Sequence, residues 1–362
     1  MNKIKKGMGS LVLLFSNTTH PFADIGNRGK HVLTLIKNND MNPLKVWLIL
    51  AATVIFICCG RKNNSVTEES VNVTKHNSIY HWKTVFDIDS IETSFLRKHN
   101  IKRIYVRMFD VATEQNYQTG SVDIVPIATT KFLSAVPDSL EIIPVTYITI
   151  DALRAMGGRE TEFASLITER LLAMSSYNEC GEIREIQLDC DWTESTKDSY
   201  SRLCQTIKDS LHPKNIELSI TVRLHQLQEM PPTADGGVLM LYNTGALQNP
   251  NTKNSILDIA DVRPYIKPIK YPIPLDFAYP FFGWGVKFEN NKFVSIVSAD
   301  SATSSGDRHI RYERPTPSEI FHVKGLIEQN LGKPHRGNIL YHLDEKQLKN
   351  YTDDEIDRIL SL

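Results

Sequence analysis

The chain has 362 residues, 41% of them hydrophobic and 23% charged, so it can bury a full-sized core and is neither disordered nor fibrous. Lys plus Arg number 41 and Asp plus Glu 42, a balance that excludes nucleic acid as an expected partner, because neutralising phosphate takes a basic surplus. The five cysteines, Cys58, Cys59, Cys180, Cys190 and Cys204, show no paired CxxC spacing, which excludes a disulfide framework and a zinc finger.

From Met41 the chain reads Met-Asn-Pro-Leu-Lys, then runs from Val46 to Ile57 almost without a polar residue, then turns to Cys58-Cys59-Gly60-Arg61-Lys62. An apolar run of about 12 residues is shorter than the roughly 20 that cross a bilayer, and matches a signal-peptide core. Phe56-Ile57-Cys58-Cys59 resembles the end of a bacterial lipoprotein signal, in which apolar and small residues precede the cysteine that takes the lipid. The resemblance implies Cys59 as a lipid anchor in a membrane of the bacterial cell envelope. Gly60 to Asn64 lack the acidic run that some surface-exported lipoproteins carry, which directs the expectation to the periplasmic face. Residues 1–40 are then an upstream extension or a misassigned start, 41–58 the signal, 59–78 a polar tether, and 79–362 the folded domain.

Strand-length apolar runs follow at 79–86, 101–109, 141–150, 183–191, 216–224, 237–242, 275–281 and 338–342. Between them Phe163, Leu166, Ile167, Leu171 and Met174 share one helical face, as do Tyr200, Leu203, Cys204, Ile207 and Leu211. Ser195 and Asp198 form a capping-box-like pair before the second set. Further helices are expected at 88–99, 255–265, 318–331 and 353–362, whereas the second and fifth connections carry no clear pattern. Eight alternations over about 280 residues match an α/β fold of the (β/α)8 barrel type, usually about 250 residues long; a doubly wound sheet is the alternative. No GxGxxG follows the first strand and no GxxxxGK motif occurs, so no nucleotide cofactor is expected. Residues 286–289 and 292–297, joined by Asn290-Asn291, read as a β-hairpin inserted after strand seven. The Ser-rich stretch 299–314 reads as a mobile loop.

A barrel of this kind builds its site at the carboxyl ends of the strands. On the fourth, Ile186-Gln187-Leu188-Asp189-Cys190-Asp191-Trp192, period-two alternation sends Gln187, Asp189 and Asp191 to one face and Leu188 with Cys190 to the other. Two stacked inward carboxylates resist joint ionisation, which raises at least one pKa and suits acid or base work. A salt-bridged structural pair with Arg107 or Arg223, at inward-capable positions on strands two and five, is the other reading. Trp82, Trp192 and Trp284 fall near strands one, four and seven, joined by Tyr147, Tyr242, Tyr279, Phe281 and Phe282. Flat rings beside carboxylates and amides suit a sugar, whose faces stack on aromatics while its hydroxyls seek polar partners.

Leu188-Asp189-Cys190-Asp191-Trp192 resembles the fourth-strand signature DxxDxDxE of chitinase-like glycoside hydrolases of family 18, and Met240-Leu241-Tyr242-Asn243 is similar to that family's Met-x-Tyr-Asp. The hairpin after strand seven is similar to its insertion domain. The stretch from Gln187 through Ser219-Ile220-Thr221 to Gly245 resembles more closely a family of bacterial envelope lipoproteins with a chitinase-like barrel. The resemblance implies a polysaccharide or oligosaccharide partner and, with it, the substrate-binding set Trp82, Arg107, Tyr147, Trp192, Arg223, Tyr242, Asn243, Asp276 and Trp284.

The chain departs from the family pattern. Ile186 stands where the ladder begins and Thr193 where the catalytic glutamate belongs, with Glu194 one residue late and Asn243 in place of the aspartate after Tyr242. A one-residue shift turns a side chain to the opposite face unless a bulge restores it. Protonating a leaving oxygen needs a carboxylic acid, so Asp191 is the favoured acid, Asp189 its electrostatic partner and Glu194 the remaining catalytic candidate. Asp110, Asp151, Asp344 and Glu345 are further strand-end carboxylates, and Asp276 or Asp344 is a candidate partner for Asp191. His81, His225 and His342 lie near strands, but without HExxH-like spacing no metal is expected. Two readings stay open: a divergent glycoside hydrolase, and a glycan-binding or envelope-assembly lipoprotein with the cleft but not the catalysis. Closure of Asp189 and Asp191 by arginines would count against both.

Overall fold

Eight parallel strands close into a ring in the computed structural model, which describes residues 75–298 and 309–362. In chain order they are β1 (Asn77–His81), β2 (Ile101–Gln115), β3 (Glu141–Ile148), β4 (Glu185–Asp189), β5 (Glu217–Val222), β6 (Gly236–Met240), β7 (Leu275–Pro280) and β8 (Asn338–Tyr341). Each pairs with the next, and β8 pairs back onto β1, which closes the ring of eight. This is the expected (β/α)8 barrel. Its first strand begins at Asn77, so the last two residues assigned to the tether belong to the sheet. The expected signal, Cys59 and most of the tether lie outside the described residues.

Around the ring run α1 (Ser90–Lys98), α2 (Ile150–Ala155), α3 (Glu160–Tyr177), α4 (Lys197–Leu211), α5 (Ile259–Val262), α6 (Pro317–Leu331), α7 (Glu345–Leu348) and α8 (Asp353–Leu360). Local chemistry starts several of them. Asp89 accepts from the Glu92 amide at α1, and capping boxes pair Thr316 with Glu319 and Thr352 with Glu355 at α6 and α8. The expected Ser195–Asp198 cap does not form: Thr196 holds the cap position of α4, while the Ser195 hydroxyl meets that of Thr193 at 3.1 Å.

The two connections without a legible helical pattern are those that carry no α-helix. β2 runs past the ring to Gln115 and folds back as an antiparallel strand, Val122–Ile127. After β5 comes only the short 3-10 turn Leu224–Gln228. After β7 the predicted hairpin is present as Trp284–Glu289 and Lys292–Ser298, and Asn290 and Asn291 take φ of 49° and 61°, the left-handed pair that a tight turn between twisted strands demands. One part of the expected loop 299–314 is instead a third strand, Ile310–Glu313, paired antiparallel with Trp284–Glu289; residues 299–308 lie outside the description.

Alternation along the strands separates two cores. Outward residues such as Ile79, Ile104, Leu188, Cys190, Ile220 and Phe277 pack under the helices, while Tyr80, Tyr105, Val145, Val238, Met240 and Ala278 fill the barrel. Below them charges seal the amino-terminal end. Arg103 reaches Glu185 at 2.6 Å and Glu141 at 3.0 Å, and Arg336 pairs with Glu185 and Glu217. The opposite end is left for the site.

Candidate functional site

The register of β4 on β5 builds three polar rungs toward the carboxyl end of the barrel. Gln187 lies opposite Ser219, and because side chains repeat every second residue, Asp189 faces Thr221 and Asp191 faces Arg223. Each rung is bonded. The Gln187 amide donates to Ser219 Oγ at 3.2 Å, the Thr221 hydroxyl to Asp189 at 2.7 Å, and Arg223 Nε to Asp191. A second guanidinium nitrogen of Arg223 lies 3.8 Å from Asp189, so one cation serves both carboxylates. Tyr80 donates to Gln187 from below at 2.6 Å. The 3-10 turn after β5 fixes the arginine's own backbone: the Arg223 amide donates to Gln226 Oε1 at 2.8 Å, and the Gln226 side-chain amide donates to the Trp192 carbonyl at 3.1 Å.

The two aspartates differ. Asp189 is 2% exposed, and burial pushes its carboxyl up while Arg223 opposes the shift. Asp191 sits higher, its side chain 38% exposed. Burial works against the charge on Arg223, but Asp189 and Asp191 outweigh it and hold the guanidinium protonated. Tyr147, half-buried on β3, has its hydroxyl pushed up to about 12 by burial and by the charges of Asp191 and Asp189. The sequence reading of an inward carboxylate pair tied to an arginine is therefore met by Arg223. Arg107 does not join it: it pairs with Asp110 three residues on and lies over the Trp82 ring, 5.6 Å from its centroid.

Beside these rungs opens a cavity of 360 Å³, walled by Asp191, Arg223, Tyr242, Asn243 and Tyr265 among others. Tyr242 stacks on Tyr341 with ring centroids 4.2 Å apart, and its buried hydroxyl has no hydrogen-bond partner. Asn243 follows in the left-handed region at φ 55° and is exposed. Trp82 is half-buried against Tyr80 and Tyr341 inside the ring. Trp284 packs edge-on to Phe282 at 5.2 Å, and its indole donates to Glu313 at 2.8 Å.

Three candidates lie elsewhere. Glu194 is exposed in the turn that closes from Thr196 N to the Thr193 carbonyl, so no bulge brings it inward. Trp192 is 2% exposed in the outer core with Leu188 and Cys190; the alternation that points Asp191 in points its neighbour out. Asp276 is the second residue of β7 and accepts from the Arg336 and Gly337 amides at 2.6 and 3.0 Å, at the far end of the barrel. The other strand-end carboxylates also have local tasks. Asp151 pairs with Arg154 on the surface, and Asp344 caps α7. Thr221, Tyr265 and Tyr341 were missed; the period-two pattern that found Arg223 also reaches Thr221 on β5, and Tyr341 alternates inward from Ile339. Among the described residues no group of three His, Cys, Asp or Glu is placed to hold a metal ion.

No family model matches the chain, and no curated protein matches it. Solved structures do. The GH18 chitinase ChiB from the chitin utilization locus of Flavobacterium johnsoniae superimposes with a TM-score of 0.51 at 11% identity, over 80% of this chain and 94% of that one. The two chains share the (β/α)8 barrel fold. A chitinase from Bacteroides thetaiotaomicron gives 0.49 at 12% identity over 79% and 95% of the two chains. The spore cortex-lytic enzyme SleL of Bacillus megaterium QM B1551 gives 0.49 at 13% over 80% and 75%. In this barrel the cleft is at the carboxyl ends of the strands, where the fold places reactive groups, but its carboxylates are bound to an arginine.

Proposed function

We propose that the cleft binds a glycan without hydrolysing it. Arg223 on both Asp189 and Asp191 counts against the hydrolase, and the observation that carries binding is that the pair is not closed off: Asp191 stays 38% exposed on the cavity wall. General acid catalysis at a glycosidic bond requires a protonated carboxyl within reach of the leaving oxygen. Asp191 is held by the guanidinium, Asp189 lies buried beneath it, and Glu194 faces solvent outside the cleft. Arg223 neutralises the pair without covering Asp191, so the cavity keeps a charged, hydrogen-bonding wall beside the rings of Tyr242 and Tyr265. That combination suits a sugar's alternating apolar faces and hydroxyls.

Calorimetric titration and product analysis with peptidoglycan fragments, chitin oligomers and exopolysaccharides test the proposal. Saturable binding to one of these glycans with no new reducing ends, weakened in Asp191→Asn, is the expected result. New reducing ends that disappear in Asp191→Asn would establish the hydrolase instead. The run before Cys59 further supports a lipid-anchored location in the bacterial envelope, facing the periplasm. Incorporation of labelled palmitate that Cys59→Ser abolishes, with fractionation to membranes, is the expected outcome; a soluble, unlabelled protein would overturn the anchoring.

A further inference from the structure

The charges gathered at the cleft do not cancel. Arg223 is the one cation on the two carboxylates Asp189 and Asp191, which leaves one negative charge in excess. Cations nearby do not make it up, because Arg107 pairs with Asp110, Lys197 with Glu229 and Lys83 with Glu92. His225, also on the cavity wall, is exposed to solvent, which screens it. Asp189 is sealed off, so the carboxylate that a ligand can reach is Asp191. Arg223 Nε bonds its Oδ1, and among the described residues its Oδ2 has no hydrogen-bond partner.

A second group on the same wall is unsatisfied. Tyr242 is 3% exposed and its hydroxyl has no partner, a cost to the free protein that a ligand's polar group would relieve. Asn243 adds a side-chain amide oxygen from an exposed position. Carboxylate, phenol and amide oxygens all accept. A protonated amine donates three bonds and carries the charge that the cluster lacks, whereas an acetamide is neutral and has one N–H to give.

Building on the glycan-binding reading, we propose that the cleft selects sugars with a free amino group, of the glucosamine type, over their N-acetylated counterparts, with Asp191 as the counter-ion of the ammonium. The excess charge makes the selection, and Tyr242 and Asn243 supply neutral acceptors beside it.

Calorimetry on the full chain at pH 6, where a sugar amine carries its proton, compares the β-1,4-linked tetramers of glucosamine, N-acetylglucosamine and glucose. The glucosamine tetramer should bind about tenfold tighter than either of the others, and its advantage should shrink as salt is raised. Asp191→Asn leaves one carboxylate to one guanidinium and should cut that ratio to about twofold or less. Asn243→Asp adds a carboxylate to the wall, at a left-handed position that an aspartate tolerates, and should raise the ratio. Both variants should keep the wild-type melting temperature, since each changes a partly or fully exposed side chain. Equal binding of the amine and the acetamide overturns the inference and leaves the glycan reading standing. Equal binding of the glucosamine and glucose tetramers overturns it too, because the selection would then be one of bulk, as does a ratio unchanged in Asp191→Asn. Binding of none of the three also overturns it, and the reading beneath it falls only if no glycan of the wider panel binds.

Discussion

Replacing Arg223 with glutamine removes the one cation shared by two carboxylates while keeping most of the side chain's volume. The effect should come chiefly from Asp189. Asp191 is 38% exposed, so water screens its half of the interaction, and exposed pairs contribute little. Asp189 is 2% exposed, and removing one partner of a buried pair costs about 3–5 kcal/mol because the remaining charge has no compensation. The Thr221 hydroxyl still donates to Asp189, which places the expected loss at the lower end, about 3 kcal/mol at neutral pH. The sign of the pH dependence follows from the direction of the Asp189 shift. Burial already raises its carboxyl in the native protein, and losing Arg223 raises it further, so the folded variant binds a proton at a pH where the unfolded chain is ionised. Its stability therefore rises as pH falls through that native value, and the gap to wild type narrows on acidification. Urea unfolding at pH 7.5 and 4.5 measures this, with Arg223→Gln repeated on an Asp189→Asn background. The reasoning fails if the variant loses less than about 1 kcal/mol at pH 7.5, or if the loss is unchanged when Asp189 is already neutral.

Three further outcomes are expected. His81 is fully buried with neither ring nitrogen bonded, and burial holds its pKa down to about 4. The unfolded chain takes up that proton from about pH 6.5 downward and the folded one does not, so about 3 kcal/mol of stability is lost between those values; chemical denaturation of His81→Leu across this range should show a flatter profile. Tyr242→Phe removes a buried hydroxyl without a partner and should raise the stability of the free protein by up to about 1 kcal/mol while weakening glycan binding, a pair of opposite changes read by melting and calorimetry. Trp192→Ala should cost about 3–5 kcal/mol as a core truncation and leave glycan affinity per folded molecule unchanged; reduced affinity at unchanged stability would return Trp192 to the cleft.

How much of the site was legible follows from where period two holds. The eight apolar runs located every barrel strand, and the alternation on Gln187, Leu188, Asp189, Cys190 and Asp191 gave the correct facing for each. The same alternation assigns Trp192 outward, and the chemical appeal of a tryptophan beside a carboxylate was a poorer guide than its parity. Asp276 faces inward, but its height along β7 depends on how the ring staggers its strands, which no single strand records. Glu194 lies past the last ladder bond, where the turn 193–196 decides direction.

The sequence by itself determined the eight strand positions and the inward carboxylates and favoured a barrel over a doubly wound sheet, because these depend on near-neighbour spacing and on burial of one face; of the second and fifth connections it said only that they carry no clear pattern. Only the tertiary structure decided that Arg223, and not Arg107, takes both aspartates. An arginine bonds the carboxylate that strand register brings within reach, and β4 lies against β5, whereas β2 offers Arg107 its own Asp110 three residues on. It also decided that the chain beyond β2 would fold back as an antiparallel strand, because that pairing is made with a partner strand and not within the segment itself.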